Sequence, residues 1–461
     1  MKAGRSAGMS LVEGDIRRQL IALAVPMTWG VFASMAFNLA DTYFVGQLGH
    51  RELAAMSFTF PVVMVLVSLS IGLSAGTSSI VARAVGERDA TKVQRLTTDS
   101  LLLSALLSLL LGGAGALSID PIFRLLGAGE EVLPLIHTYM VIWYSGLLFL
   151  VLTMVGFSAT RATGDARTPS LTMMAGAVIN ASLDPILIFG LFGVPRLGLI
   201  GAGIAGTIGR FFMFCGMLAV VGQRDRMLSL RPPTLAQALA SWRGILHVGL
   251  PAAGTNMVIP VSSGVITALL ATFGAEAVAG FGVATRIESV ALVFFYALSG
   301  VMNPFVGQNA GARRIERVRA AMGECVRFCL GFGALVALIL GALAPWLVRP
   351  FSDNPDVVAA ATSYLHLVPL SYGAAGIVMV VNASFNGLGR PLPAVLISVL
   401  RVVVVYLPLA FLGSRLFGFS GIFAAAAVAN LVVAAIAYRF FAVATRETSP
   451  ALTGDAAVEV A

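Results

Sequence analysis

The chain has 461 residues, of which 58% are hydrophobic and only 11% charged, with a mean hydropathy of +0.91. A soluble globular domain carries about 25% charged residues, so this composition excludes one and points to an all-α integral membrane protein. The net charge of +8 would suit nucleic acid, but the basic residues are not clustered as that partner requires.

Apolar stretches of about 20 residues or more recur twelve times, each long enough to cross roughly 30 Å of hydrocarbon as a helix. In chain order they fall at about 19–45, 57–82, 97–118, 132–156, 168–190, 198–222, 245–272, 280–307, 321–347, 358–382, 392–414 and 418–441. The first follows a charged leader (Lys2, Arg5, Arg17, Arg18) without a small-residue cleavage site, and reads as a retained helix. Between the sixth and seventh lies "QRDRMLSLRPPTLAQALASWR", a Pro-containing linker with a short amphipathic stretch expected at the cytoplasmic surface. The plan is a six-helix lobe (1–222), a cytoplasmic linker (223–244), a second six-helix lobe (245–441) and a disordered cytoplasmic tail (442–461).

Of the 30 Lys and Arg, 21 fall in the leader, the tail and alternate loops, against five in the other loops: Arg51, Arg124, Arg196, Arg349 and Arg415. Loops rich in Lys and Arg resist translocation, so both termini are expected in the cytoplasm, with the chain in a cytoplasmic (inner) membrane. Cys215, Cys325 and Cys329 lack metal-ligand spacing and read as apolar thiols. His50, His137, His247 and His366 are scattered and no HExxH or GxSxG occurs, so no enzyme and no cofactor is expected.

The chain is also a repeat. Pro26 and Pro251, Gly49 and Gly274, Gly86 and Gly311, Tyr139 and Tyr364, and Gly164 and Gly389 each lie 225 residues apart, and "GLIGAG" at 198–203 answers "GFSGIF" at 418–423. An even number of crossings returns the second copy to the membrane from the same side, so the two halves are parallel repeats, an arrangement suited to alternating access.

Most acids sit in loops or at helix ends. Asp99 and Glu324 read as cytoplasmic-end residues that reach water or a partner, and Arg286 and Glu288 as first-turn residues near the outer face. Asp41 and Asp184 lie deeper, roughly 6–9 Å below the outer end of their helices at 1.5 Å per residue. Asn38 precedes Asp41 by three residues and Asn180 precedes Asp184 by four, on shared helix faces. A carboxylate facing lipid is costly, so this set should line a cavity and hold either a proton or Na⁺. At an offset of 225 Asp41 matches Ile266, and "RVVVVYLPLAF" has no acid where "NASLDPILIF" has one. Coupling is therefore expected in the first half alone.

These residues resemble the multidrug and toxic compound extrusion (MATE) transporters over about 15–441. The likeness rests on "AVPMTWG…NLADTYFVGQLG…ELAA", on "RATGDARTP" with its echo "NGLGRPLPA", and on "VINASLDPILIFG". It implies two six-helix lobes in a V around a central cavity, and export of an organic cation or other amphiphile against inward cation movement. In the DinF-like branch the coupling residues would be Asp41, Asn180 and Asp184, with Pro26 as the helix-one hinge. The sequences of helices seven and ten carry no carboxylate, unlike the NorM-like branch.

Phe37, Met35, Met173, Met174 and Met257 are candidates for an adaptable apolar cavity wall, although core packing would use the same residues. Arg210 and Arg401, near mid-membrane, should face the cavity, a polar partner, or the interface by snorkelling. The expected partners are small amphiphilic or cationic substrates and the lipid bilayer, with the chain working as a monomer. Alternatives are a lipid-linked precursor flippase of the same superfamily, a major-facilitator-type efflux protein, and a channel.

Overall fold

A computed structural model describes residues 10–229 and 234–454. Every regular element among them is a helix. Nine helical runs are long and apolar enough to cross a bilayer, and two more spans are bent pairs: Leu133–Ser145 with Leu147–Ala162 (41°) and Ala275–Ala291 with Val293–Gly311 (48°). The last run, Pro391–Arg446, has 56 residues; at 1.5 Å each that is about 84 Å, far more than one crossing needs. It breaks at Phe417 and Gly418, where Gly418 takes φ 63°. Dividing it there gives twelve crossings among the described residues, in the order read from the sequence.

They are numbered α1 (Ile16–Gly46), α2 (His50–Gly86), α3 (Ala90–Leu117), α4 (the pair Leu133–Ser145 and Leu147–Ala162), α5 (Arg167–Phe189), α6 (Leu199–Arg224), α7 (Leu235–Ala271), α8 (the pair Ala275–Ala291 and Val293–Gly311), α9 (Ile315–Phe351), α10 (Pro355–Gly387), α11 (391–416) and α12 (419–454). The inside-out character of a membrane helix is plain in α3. Its buried stripe carries Leu96, Ser100, Leu103, Ser104 and Ser108, while Leu102, Leu106, Leu109 and Leu110 are exposed. Small hydroxyl residues let neighbouring helices approach closely, and leucines meet lipid.

The repeat is written into the backbone. Left-handed residues recur 225 apart at Gly49 and Gly274, Arg88 and Arg313, and Gly164 and Gly389, and 220 apart at Gly198 and Gly418. Arg88 and Arg313 have nearly identical φ (60° and 59°) without being glycine, so one tight turn was kept in both copies. Helices α4 and α10 also break at matching places, Gly146 and Val368–Ser371.

The chain forms two compact units. Unit one is Val25–Ala253; unit two takes in Leu11–Ala24 and the chain from Gly254 onward. Helices α1 and α7 are therefore divided, each within three residues of its repeat proline, Pro26 or Pro251. Pro26 lies well inside α1, because Ile16–Arg18 of the charged leader continue the helix, and it leaves the Ala22 carbonyl without its i+4 donor.

Unit two holds the segment 11–19 by hydrogen bonds. Leu11 N donates to Gln308 Oε1 (3.0 Å), Asn309 Nδ2 to Leu11 O (3.1 Å), Arg314 Nη1 to Val12 O (2.9 Å) and Arg317 Nη1 to Gly14 O (2.9 Å). Unit one holds the first half of α7. Trp242 Nε1 donates to the Asp99 carbonyl (3.0 Å), and Gly72 and Gly76 of α2 lie so close to Gly249 O and Ile245 O that a Cβ at either would collide. This docking explains why 235–244, assigned to the linker from sequence, forms the first turns of α7. Likewise the helix of α12 runs on to Gly454, through much of the expected tail. Residues 230–233 and 455–461, parts of the expected linker and tail, lie outside the described residues, as does Lys2 with Arg5 of the leader.

Candidate functional site

One turn of α5 separates Asn180 and Asp184 and places them on one face, and both are wholly buried. Asn180 Nδ2 donates to Asp184 Oδ2 at 2.8 Å. That leaves Asp184 Oδ1 and Asn180 Oδ1 buried with no hydrogen-bond partner among the described residues. Glycines of α6 pack against this pair: a Cβ at Gly209 would lie 3.4 Å from Asn180 Cβ and one at Gly206 3.8 Å from its Oδ1, ordinary van der Waals contact.

Asp41, on α1, is half-buried and takes no hydrogen bond from a described residue. Its charge acts on Asp184, on Tyr139 of α4 and on Arg210 of α6. The Arg210 guanidinium lies over the Trp143 ring, 5.2 Å from its centroid. Tyr139 and Trp143 are one turn apart on α4 and both buried. Unit one thus joins two acids, an amide, a phenol and a guanidinium from four helices.

Asn38 stands apart: it is exposed, and its Nδ2 donates to Ser34 O at 2.8 Å on its own helix. Met35, Phe37, Met173 and Met174 are half-buried, with Met173 packed on the unit-one core, whereas half-buried Met257 belongs to unit two. Arg210 and Tyr139 were not assigned to the site from sequence. The signals available were an arginine in mid-span and a tyrosine kept at the repeat offset.

Two acids are not where the sequence reading put them. Asp99 is fully buried, both carboxylate oxygens without a partner among the described residues, because α7 covers the start of α3. Glu288 lies inside α8, which begins at Ala275, and accepts a 2.6 Å hydrogen bond from Tyr364 Oη. The second half therefore has an intramembrane acid after all, on a helix unrelated by the repeat to that of Asp41. Arg286 is exposed, and Glu324 pairs with Arg327 at 2.7 Å.

Outside the membrane spans, Asp165 closes the loop before α5. It accepts from the backbone N–H of Arg167 (2.9 Å) and Thr168 (3.1 Å), from Thr168 Oγ1 (2.7 Å), and pairs with Arg224 at 2.5 Å. Burial pushes its carboxyl upward, but the Thr168 hydrogen bonds and the Arg224 guanidinium outweigh that and hold it below the usual carboxylate range. A groove of about 870 Å³ lies at the junction of α9 and α10, lined by Arg349, Asp353 and His366 among others; none of the sequence-derived candidates lines it.

The MatE family matches residues 26–186 and 251–412, one segment in each half. The chain belongs to the MatE family. This MATE chain is 38% identical over 431 residues to a protein named FAD transporter from Shewanella oneidensis, covering 93% of this chain and 95% of that one. It is 26% identical over 404 residues to the probable multidrug resistance protein NorM of Thermotoga maritima, covering 87% of each. Among solved structures, the Vibrio cholerae MATE transporter VcmN in its bent form is similar with TM-score 0.89 and 32% identity over 94% of this chain and 98% of that one. The MATE chain is a multi-pass membrane protein whose relatives are transporters.

Proposed function

We propose that this protein is a proton-driven secondary exporter of flat, amphiphilic cargo, with a flavin dinucleotide as the first candidate. The observation that carries the coupling is the Asp41–Asp184 pair beside Arg210. Two carboxylates that act on one another are stabilised by sharing a proton. Either H⁺ or Na⁺ would relieve that repulsion, and Arg210 decides between them. A guanidinium does not deprotonate in a protein, so a metal cation entering this pocket meets a fixed positive charge, whereas a proton simply converts one acceptor to a donor.

In this reading Asp41 is the exchangeable site, its carboxylate open to water, and Asp184 is held in place by Asn180. Proton uptake at Asp41 removes a charge from the outer part of α1 and lets the helix bend about Pro26, where a backbone hydrogen bond is already missing. Acids on α1 and α5 fit the DinF-like branch. The Lys and Arg bias supports cytoplasmic termini in an inner membrane, and each unit packs its own core, consistent with a monomer.

The cargo reading rests on the 38% identity with the Shewanella oneidensis FAD transporter; the relatives named for multidrug resistance or export, at 23–26%, support organic cations as the second reading. Charge separates the two. The two phosphates of FAD are anionic, and each elementary charge crossing gains or loses about 2.3 kcal/mol per 100 mV. The test is efflux from proteoliposomes of FAD and of a fluorescent organic cation under separately imposed proton and sodium gradients. FAD efflux accelerated by a proton gradient alone is the expected result. Transport of the cation alone would move the cargo to the second reading, and acceleration by sodium alone would overturn proton coupling.

A further inference from the structure

Unit two carries a polar cluster that neither the repeat nor the family pattern described above assigns. Glu288 of α8 accepts from Tyr364 Oη of α10 at 2.6 Å through Oε2. Its other oxygen, Oε1, takes no hydrogen bond from a described residue. Arg401, on the Leu400–Tyr406 stretch of α11, acts electrostatically on Glu288 without an ion pair between them among the described residues. That stretch is π-helical, and an i→i+5 ladder brings Arg401 and Tyr406 nearly into line. Short π segments inside membrane helices often mark functional positions.

Tyr364 of α10 and Arg401 of α11 act on Glu288, and its charge in turn reaches Tyr296 on its own helix, Tyr372 of α10 and Tyr406 of α11. Four of the eight tyrosines in the chain thus lie within electrostatic reach of one carboxylate, and Tyr364 bonds it directly. Tyr364 is held rigidly, with Phe281 and Phe423 packed against its ring at 5.7 and 5.0 Å. It is also the repeat mate of Tyr139, which faces Asp41, Asp184 and Arg210 in unit one. Each unit therefore sets an acid and an arginine around the same inherited tyrosine. The acids lie on α1 and α8 and the arginines on α6 and α11, positions that the repeat does not relate, so the second set was not copied from the first.

A purely structural role would be met by a closed ion pair with both carboxylate oxygens satisfied. Glu288 instead has one oxygen without a hydrogen bond from any described residue, under the influence of a guanidinium that forms no ion pair with it among them. A sodium ion is disfavoured for the reason given for Arg210: it would meet the fixed positive charge of Arg401.

We propose that Glu288 is a second proton-carrying site, in unit two, positioned by Tyr364 and kept selective for H⁺ over metal cations by Arg401. This rests on the proton-driven reading above. It makes the exchange at least two protons per cargo, one through each unit.

The test is proton influx per cargo exported, measured together in proteoliposomes with a trapped pH dye, for the parent, Glu288→Gln and Asp41→Asn. Glu288→Gln is expected to lower the ratio by about one proton while cargo binding persists. An unchanged ratio in Glu288→Gln, with Asp41→Asn abolishing proton flux, overturns this proposal and leaves the proton-driven reading standing. Proton-independent export by the parent overturns the reading itself. Should Glu288→Gln fail to fold, the acid-minus-alkaline infrared difference spectrum of the parent and of Tyr364→Phe reads the same group with the acid retained. A carboxyl band shifted by Tyr364→Phe is expected; a band that Tyr364→Phe leaves in place overturns the proposal.

Discussion

At the scale of single residues, the Asn180–Asp184 hydrogen bond is the most sharply defined feature of the unit-one site. Asn180→Ala removes the only described donor to a wholly buried carboxylate, which costs about 1–3 kcal/mol, and a lower melting temperature in detergent is expected. Asp184→Asn keeps a polar pair in the same space and should melt close to the parent. Arg210 makes a different prediction. With Arg210→Gln the charge that excludes metal cations is gone, so sodium should begin to stimulate transport; continued indifference to sodium would refute the role assigned to the guanidinium. Asp165, outside the membrane, gives a pH test. Its folded carboxyl is held down, so its contribution is present above the ordinary carboxylate range and disappears as pH falls through the lowered folded value. Asp165→Ala should therefore cost about 1–2 kcal/mol near neutral pH, the size of a lost helix cap, and the gap to the parent should close in acid, as read by melting temperature.

At the scale of helices, α1 and α7 do the least obvious work. Each begins in one compact unit and ends in the other, with a repeat proline near the transition. The first half of α7 is accepted by unit one because Gly72 and Gly76 present bare backbone to it. Gly76→Val is predicted to destabilise by about 1–3 kcal/mol through overpacking, with loss of Trp242 fluorescence protection as α7 lifts. The crossing segments, their order and the repeat were legible in the sequence, because hydropathy and the 225-residue offset are properties of the chain alone. The place where α7 starts was not, since residues 235–244 are amphipathic rather than part of the apolar run, and they join the helix where it docks on α2 and α3. The same holds inside the site. Asp41, Asn180 and Asp184 stood out as acids and amides in apolar runs. Arg210 stood out as a mid-span arginine but, like Tyr139 and Glu288, could not be assigned to a site, because what makes each a functional candidate is a neighbour on another helix; Glu288 in particular reads as a first-turn residue, whereas α8 begins five residues before its apolar stretch.

At the scale of the whole molecule, the account is of a duplicated bundle whose halves share backbone turns but not chemistry. The left-handed residues were kept in register across both copies, while the acids were placed independently. Conservation of turns preserves the packing of each unit; divergence of polar residues gives each unit its own acid, which under the proposal carries its own proton. The most direct test of the central claim is the response of cargo efflux to a sudden acid jump on the receiving side, comparing the parent with Asp41→Asn and Asp184→Asn at equal cargo affinity. The account predicts a burst of efflux in the parent that falls at least about tenfold, or about 1.4 kcal/mol of lost driving effect, in Asp41→Asn. An Asp41→Asn protein that responds to the acid jump as strongly as the parent would contradict it.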